Sequence, residues 1–311
     1  MPKPYILWPA LAGTLFLVGG LVGARRAWSA SAGVERLVAL FPVFIAAPLA
    51  TFGGEHMALA SFISQDIPAF MPARLFWAYF VGVALFAAAL SLVVRRHMRL
   101  STALLGVMFV LFVAMIHLPK ALAQPGDRFL WTVALRELAF AGGVVAFAAG
   151  YGKETARPGE RRLVTVGRLL VGVALLFFAI QHLLHPAFAP GVPLKKVTPA
   201  WFPGGVLLGY LTGAAELVTA AALVVNQRAR AAATWLGAWL LLLTVIVYVP
   251  LLAAARQSSE GIEGINYVAD TLLFAGTMLA LAAGLPARRI PQVAVEPEAS
   301  PPPRAPAPLA P

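Results

Sequence analysis

Nine apolar runs of membrane-spanning length constrain this chain more than any other feature of its sequence. A transmembrane helix needs about 20 mostly apolar residues. Because a backbone inside a bilayer must satisfy its own hydrogen bonds, such runs are predicted to be helices rather than barrel strands. The sequence therefore predicts an all-α membrane protein with nine transmembrane helices, at about 5–24, 37–58, 75–94, 100–119, 130–150, 163–184, 206–225, 231–252 and 265–284.

The composition agrees with a bilayer as the main partner. Hydrophobic residues make up 60% of the 311 residues and charged residues only 12%, whereas a soluble domain carries about twice that charged fraction. The Lys and Arg residues that give the chain its net charge of +11 lie largely in short loops between the apolar runs. This distribution indicates membrane topology rather than a nucleic-acid partner. The chain has no cysteine, which excludes disulfides, thiol nucleophiles and iron–sulfur ligation.

The distribution of Lys and Arg predicts the orientation. Fifteen of them fall in the odd-numbered loops and the C-terminal tail, against seven on the opposite side. By the positive-inside rule, the N-terminus is expected outside and the C-terminus in the cytoplasm of a multi-pass cell-membrane protein. A cleaved signal peptide is the alternative for the first run, because Ala30-Ser31-Ala32 resembles a cleavage site. The length of this run and the Arg25-Arg26 pair after it favour an anchor helix.

Residues 55–150 and 181–284 align as two copies of one unit. Glu55-His56 matches Gln181-His182, and the proline-bracketed segment 68–72 matches 199–203. From these segments through Pro119 and Pro250 the offset stays at 131. Because each unit has an even number of spans, both copies have the same orientation, which predicts two tandem parallel four-helix bundles after one N-terminal helix.

The expected domain boundaries follow from this repeat. They are an N-terminal helix at 1–33, a first repeat at 34–150, a cytoplasmic linker at 151–162, a second repeat at 163–284 and a tail at 285–311. The tail contains nine prolines and no helical period, so a disordered segment is predicted there.

The second copy carries a recognisable pattern. It has an early Arg168, a glycine-containing helix that ends at His182 and His185, a PAWFP segment and a TGAAEL helix with Glu216. Over about 163–284 this pattern resembles the DoxX-like membrane proteins. The resemblance implies a four-helix unit and an association with a membrane redox partner linked to quinones. The first copy is a diverged version, with Leu85 at the position of Glu216.

Ionisable side chains inside spans are costly unless paired or hydrated, so each is a functional candidate. Nearly all of them lie toward the predicted outer side, which predicts a polar cavity that opens outward in each bundle. The candidates for ligand binding or proton relay are His182, His185, Gln181, Glu216, Asp270, Tyr248, Glu55, His56, His117, Glu137 and Arg136. The proline-bracketed segments are expected either to form interfacial caps or to be ordinary aromatic-belt loops; their residues are Pro68, Phe70, Pro72, Pro199, Trp201 and Pro203.

The sequence is consistent with several chemical roles for these groups. Gln181 and His185 share a helix face and, with Glu216 and Asp270, could form a proton relay, a headgroup clamp or a structural network. His and carboxylate ligands would suit Zn, Mn or Fe, but without an HExxH signature no metal is predicted.

The adjacent residues Arg136 and Glu137 are expected to reach other helices rather than each other. Glu137 is expected to point toward His117 or His56.

Two classes of function are consistent with the sequence. The first is a redox-associated membrane component in which histidines and carboxylates bind a quinone headgroup and exchange its protons. The sequence has no haem, iron–sulfur or nucleotide signature, so electrons would come from a membrane redox partner. The alternative is a non-enzymatic accessory subunit, assembly factor or small-molecule permease. The diverged polar set of the first copy favours a working site in the second copy alone.

Overall fold

The computed structural model describes residues 4–152, 157–255 and 261–286, and within these ranges the chain is all-helical with no β-strand. The described residues form nine helices of 18 residues or more, numbered here in chain order. They are α1 (Pro4–Gly23), α2 (Phe41–Ala58), α3 (Arg74–Val93), α4 (Met98–Ala123), α5 (Arg128–Gly150), α6 (Pro158–Leu184), α7 (Gly205–Val225), α8 (Ala229–Ala255) and α9 (Gly261–Gly284). The short helices are Arg25–Ser29, Glu35–Ala39 and Ala60–Ile63.

Eight of these helices, among the described residues, are long and apolar enough to cross a membrane. The exception is α2, where Pro42, Pro48, Glu55 and His56 lower the mean hydropathy of a helix that is only 18 residues long. Helix α2 is nevertheless mostly buried, because it packs against α1, α3 and α9. The predicted tail from 287 onward and residues 153–156 of the predicted linker lie outside the described residues.

Local signals explain where several helices begin. Asp127 caps α5 because its carboxylate accepts a hydrogen bond from the backbone N–H of Phe129 at 2.8 Å. Helix α6 has Pro158 at its first position, and Glu160 accepts a hydrogen bond from the backbone N–H of Arg157 at 2.9 Å.

The same backbone irregularities recur at positions 131 residues apart. Helices α4 and α8 each contain one π-helical turn, at Val113–His117 and at Thr244–Tyr248. Such insertions are uncommon, so two of them 131 residues apart agree with the alignment of the two segments. The residues before α3 and α7, Ala73 and Gly204, both have left-handed backbone angles. This is the offset on which the sequence alignment of the two segments rests.

Helices α5 and α9 meet at the centre of the molecule. Their contact is close because small residues face each other: a methyl group at Gly143 would collide with Thr277, and one at Gly150 would collide with the carbonyl oxygen of Gly284. Helix α9 is the most deeply buried span. Small residues at such contacts let helix backbones approach closely in membranes.

The remaining contacts join the two repeats more closely than two separate bundles would be joined. Helix α5 packs against α6, and α9 packs against α2, whereas α2 and α5 make no close backbone contact within the described ranges. Helices α3 and α4 touch over few residues, and so do α7 and α8. Spaces therefore remain between α3 and α4 and between α7 and α8.

Helix α1 lies outside this arrangement and packs along α2. A methyl group at Gly13 would collide with the hydroxyl of Thr51, and one at Gly54 would meet the backbone of Pro9.

Candidate functional site

A cavity of about 450 Å³ lies inside the first half of the protein. Its walls come from α2, α3, α4 and α5, and α9 contributes the remaining side. Most of the lining is apolar, but seven polar residues of these helices face it together: His56, His117, Lys120, Arg136, Glu137, Asn266 and Asp270. The cavity thus unites four predicted candidates of the first copy with Asp270 of the second.

Arg136 is the centre of the polar wall. Its Nη1 lies 2.6 Å from Oδ2 of Asp270, and its Nη2 lies 2.9 Å from Oε1 of Glu137. The expectation that the neighbours Arg136 and Glu137 would not pair was wrong, because the long guanidinium side chain folds back along its own helix while still reaching α9. The expected contact of Glu137 with a histidine is replaced by this ion pair.

A third carboxylate completes the cluster. Glu55 of α2 is buried, and it accepts hydrogen bonds from the side-chain amide of Asn266 when the nitrogen of that amide, rather than its oxygen, faces the carboxylate. Asp270 lies close enough to interact electrostatically with both Glu55 and Glu137. Glu137 and Asp270 flank the guanidinium and Glu55 interacts with Asp270, so the three carboxyl groups form one electrostatically coupled set.

The geometry does not suit a metal ion. Among the described residues, no group of three or more His, Asp or Glu side chains is arranged to hold one. The guanidinium of Arg136 occupies the position where a cation would neutralise the carboxylates.

Two histidines face the carboxylate cluster across the cavity. The Nδ1 of His56 lies 2.9 Å from the carbonyl oxygen of Phe52, so this nitrogen donates and Nε2 is the acceptor in the neutral ring. His117 ends the π-helical turn of α4 and also lines the cavity. At the mouth, the exposed ion pair of Lys120 with Asp66 spans 2.7 Å.

Two polar atoms of the cluster are buried without a partner. Within the described part of the chain, Nε of Arg136 and Oε2 of Glu137 make no hydrogen bond. Buried unpaired donors and acceptors cost about 1–3 kcal/mol each. Because both atoms are shielded from the cavity, a ligand group could pair with them only if the surrounding side chains shift.

The Arg136–Asp270 pair also separates this cavity from a second one of about 270 Å³. The second cavity shares Arg136, Asn266 and Asp270 with the first, and it is bounded by the exposed side chains of Lys195 and Glu263. The ion pair is therefore a partition between the interior of the first half and this more exposed space.

In the second half, the chain fills the equivalent space itself. Residues 189–194, called here the plug segment, are all buried. The hydroxyl of Tyr248 donates to the carbonyl oxygen of Pro190 at 2.6 Å, and the backbone N–H of Gly191 donates to Nε2 of His182 at 3.2 Å. Arg128 donates to the carbonyl oxygens of Pro193 and Leu194, both at 2.7 Å.

A longer connection makes the plug segment possible. Pro68 follows His56 by 12 positions, whereas Pro199 follows His182 by 17 positions. The five additional residues let the second connection descend into the half that it caps. Gly191 has a φ of +119° at the tip of the segment, a conformation that favours glycine.

The predicted site residues of the second copy therefore do not form one site. Glu216 is fully buried, and its Oε2 lies 4.0 Å from Nε2 of His182. Neither carboxyl oxygen of Glu216, nor Oε1 of Gln181, has a hydrogen-bond partner among the described residues. His185 is exposed at the end of α6. Asp270 belongs to the cavity of the first half instead.

The proline-bracketed segments lie at the same end of the molecule as these groups. Pro68 lines an apolar groove between α3 and α4, while Phe70 is 77% exposed. Trp201 is 57% exposed and its ring contacts Phe202, which packs against the core. The remaining prolines of the two segments, Pro72, Pro199 and Pro203, lie in the turns that lead into α3 and α7.

Sequence reasoning did not identify two important residues. Asn266 lies one helical turn before Asp270 on α9, and this i, i+4 spacing of polar residues inside a span was a usable signal. Arg128 begins α5 and holds the plug segment from the other half; no local pattern indicates such a contact.

No protein-family model, curated protein or solved structure matches this chain.

Proposed function

We propose that this chain is a multi-pass cell-membrane protein with nine transmembrane helices, built from two tandem parallel DoxX-like units after an N-terminal helix. The recurrence of π-helical turns and left-handed residues at a 131-residue offset supports the repeat. The excess of Lys and Arg in the odd-numbered loops supports an outside N-terminus and a cytoplasmic C-terminus. Helix α2 is then a span whose polar residues are covered by its neighbours.

We infer that the first-half cavity binds the headgroup of a quinone and exchanges its protons. The observation that carries this proposal is the meeting of His56, His117, Arg136 and Glu137 around one cavity of about 450 Å³. A quinone carbonyl accepts hydrogen bonds and a quinol hydroxyl donates them. Arg136 supplies a donor and Glu137 an acceptor in the cavity lining, and the unpaired Nε and Oε2 leave hydrogen-bonding capacity unused on both side chains.

Proton exchange needs a route between the headgroup and water. The second cavity, beyond the Arg136–Asp270 pair, leads toward exposed Lys195 and Glu263. Protons would pass between the carboxyl groups of the cluster and this outer space. Electrons would come from a redox partner in the same membrane, because the sequence carries no signature of a redox cofactor.

This assignment places the site in the first half rather than in the second. The second half keeps His182 and Glu216, but the plug segment occupies the space between α6, α7, α8 and α9. We propose that these residues stabilise the plug, so that the diverged first copy is the one that binds a ligand.

Extraction of the purified protein tests the proposal. Organic extracts of the wild-type protein should contain a prenylated quinone at up to one molecule per chain, and the Glu137→Gln variant should retain at least tenfold less. Loss of one hydrogen bond to a charged group costs about 1.5–3 kcal/mol, which corresponds to roughly tenfold to a hundredfold in affinity. A protein that carries no quinone and copurifies with a stoichiometric partner would instead favour an accessory subunit.

A further inference from the structure

An apolar groove lies next to the polar cavity of the first half, at the outer surface of the helix bundle. The groove has a volume of about 490 Å³ and lies between α3 and α4, whose contact is sparse. Trp77, Val81, Phe112 and Ile116 line both the groove and the polar cavity. The two spaces therefore adjoin across these four side chains, one with a partly polar lining and one with an apolar lining.

The groove faces the surroundings of the helices. Phe80, Leu104 and Leu111 form its edges and are 52%, 60% and 49% exposed. Residues 77–88 of α3 line the groove along about 16 Å of helix, at 1.5 Å per residue. In a protein embedded in a bilayer, this opening lies against the lipid chains rather than water.

We propose that the ligand is an amphiphile with one extended apolar chain, which enters the polar cavity sideways from the bilayer through the α3–α4 groove. This inference rests on the proposed function, and it adds the route and the chemical class of the ligand. The headgroup occupies the polar cavity, and the chain stays in the groove between Val81 and Leu104. Entry from water past the Lys120–Asp66 pair is not required.

In the second half, a hydrogen bond between α7 and α8 closes the corresponding route. The indole Nε1 of Trp239 donates to the hydroxyl of Thr212 at 3.0 Å, which bridges α7 and α8. At the offset of 131, these residues correspond to Met108 and Val81 of the first half. A groove of about 550 Å³ also exists between α7 and α8, but the Trp239–Thr212 bridge stands between it and the plugged interior.

Introducing the same Trp–Thr pair between α3 and α4 gives a direct test. The full-length protein in lipid nanodiscs is titrated with two probes that share one ring, a benzoquinone with a decyl chain and the same benzoquinone without a chain. The test variant is V81T/M108W, and the matched control is T212V/W239M in the second half. We expect the test variant to lose at least tenfold more affinity for the decyl probe than for the chainless probe, and the control to match wild type for both.

The outcomes separate the two proposals. If the test variant binds the decyl probe as well as wild type does, the sideways route is wrong while the quinone site stands. If wild type binds neither probe, the proposed function fails and this inference fails with it.

A second variant covers the case in which V81T/M108W does not fold. Ala84→Phe fills the groove farther from the headgroup end, because Ala84 lines the groove and not the polar cavity. It should show the same selective loss of the decyl probe, and wild-type affinity for both probes would overturn the route.

Discussion

Arg136 and Asp270 occupy matching positions in the two repeated segments and pair with each other at 2.6 Å. They are 134 residues apart, which is also the offset between Phe140 and Phe274 in the sequence alignment. Two matching residues can touch only near an axis that relates their repeats. Gly150 and Gly284 share this offset and also meet. The pair therefore links the two aligned segments near the centre of the molecule and forms one wall of the polar cavity.

Removing one partner of this pair should destabilise the protein strongly. The Asp270→Asn variant leaves the guanidinium of Arg136, which is largely buried, with Glu137 as its remaining ionic partner. Breaking a buried ion pair costs about 3–5 kcal/mol, so we expect a clear decrease in the midpoint of thermal unfolding in detergent.

The matched control is Glu35→Gln, which breaks the ion pair of Glu35 with Arg230 at 2.6 Å. Half of the Glu35 side chain is exposed, and exposed pairs contribute about 0–1 kcal/mol. Equal losses in the two variants would show that Asp270 has no special structural role.

The plug segment should depend on glycine at position 191. Gly191→Ala places a Cβ on a residue with a φ of +119°, within 3.4 Å of Leu240 Cδ2. Such a conformation costs about 1–3 kcal/mol for other residues, so the unfolding midpoint should fall. Gly159→Ala is the control, because its Cβ would meet no atom within 4 Å and its φ is ordinary. A control variant that loses as much stability as Gly191→Ala would contradict this explanation.

The absence of cysteine makes the orientation easy to test. Single cysteines can be introduced at Phe70, in a predicted outer loop, and at Gln227, in a predicted inner loop; both residues are exposed. In right-side-out vesicles, a membrane-impermeant maleimide should label Phe70→Cys and should label Gln227→Cys only after the membrane is permeabilised. The reverse pattern would invert the topology.

Most helices could be predicted from the sequence because eight of the nine apolar runs each coincide with one long helix, whereas the run at 37–58 is divided between Glu35–Ala39 and α2. The repeat, which rests on prolines, glycines and histidines at a fixed spacing, stays a prediction. The weakest prediction was the span at α2, where Pro48 and Glu55 interrupt the apolar run. Its burial depends on α1 and α9, and no local property of its sequence indicates those neighbours.

The candidate site was harder to predict, because it depends on how the two repeats pack. The sequence indicated His56, Arg136, Glu137 and Asp270 as candidates, but not that Asp270 would join the other repeat. The plug segment was not foreseen either. Residues 189–194 have no helical period and resemble a surface loop, and only the space between the helices of the second half determines that they are buried.

The central claim is that the ligand site lies in the first half while the second half is filled by its own chain. The most direct measurement is the equilibrium dissociation constant of a chainless benzoquinone for the full-length protein, determined for wild type and two isosteric variants. Glu137→Gln should weaken binding at least tenfold, and Glu216→Gln should leave it unchanged. Weaker binding in Glu216→Gln together with wild-type affinity in Glu137→Gln would contradict the account.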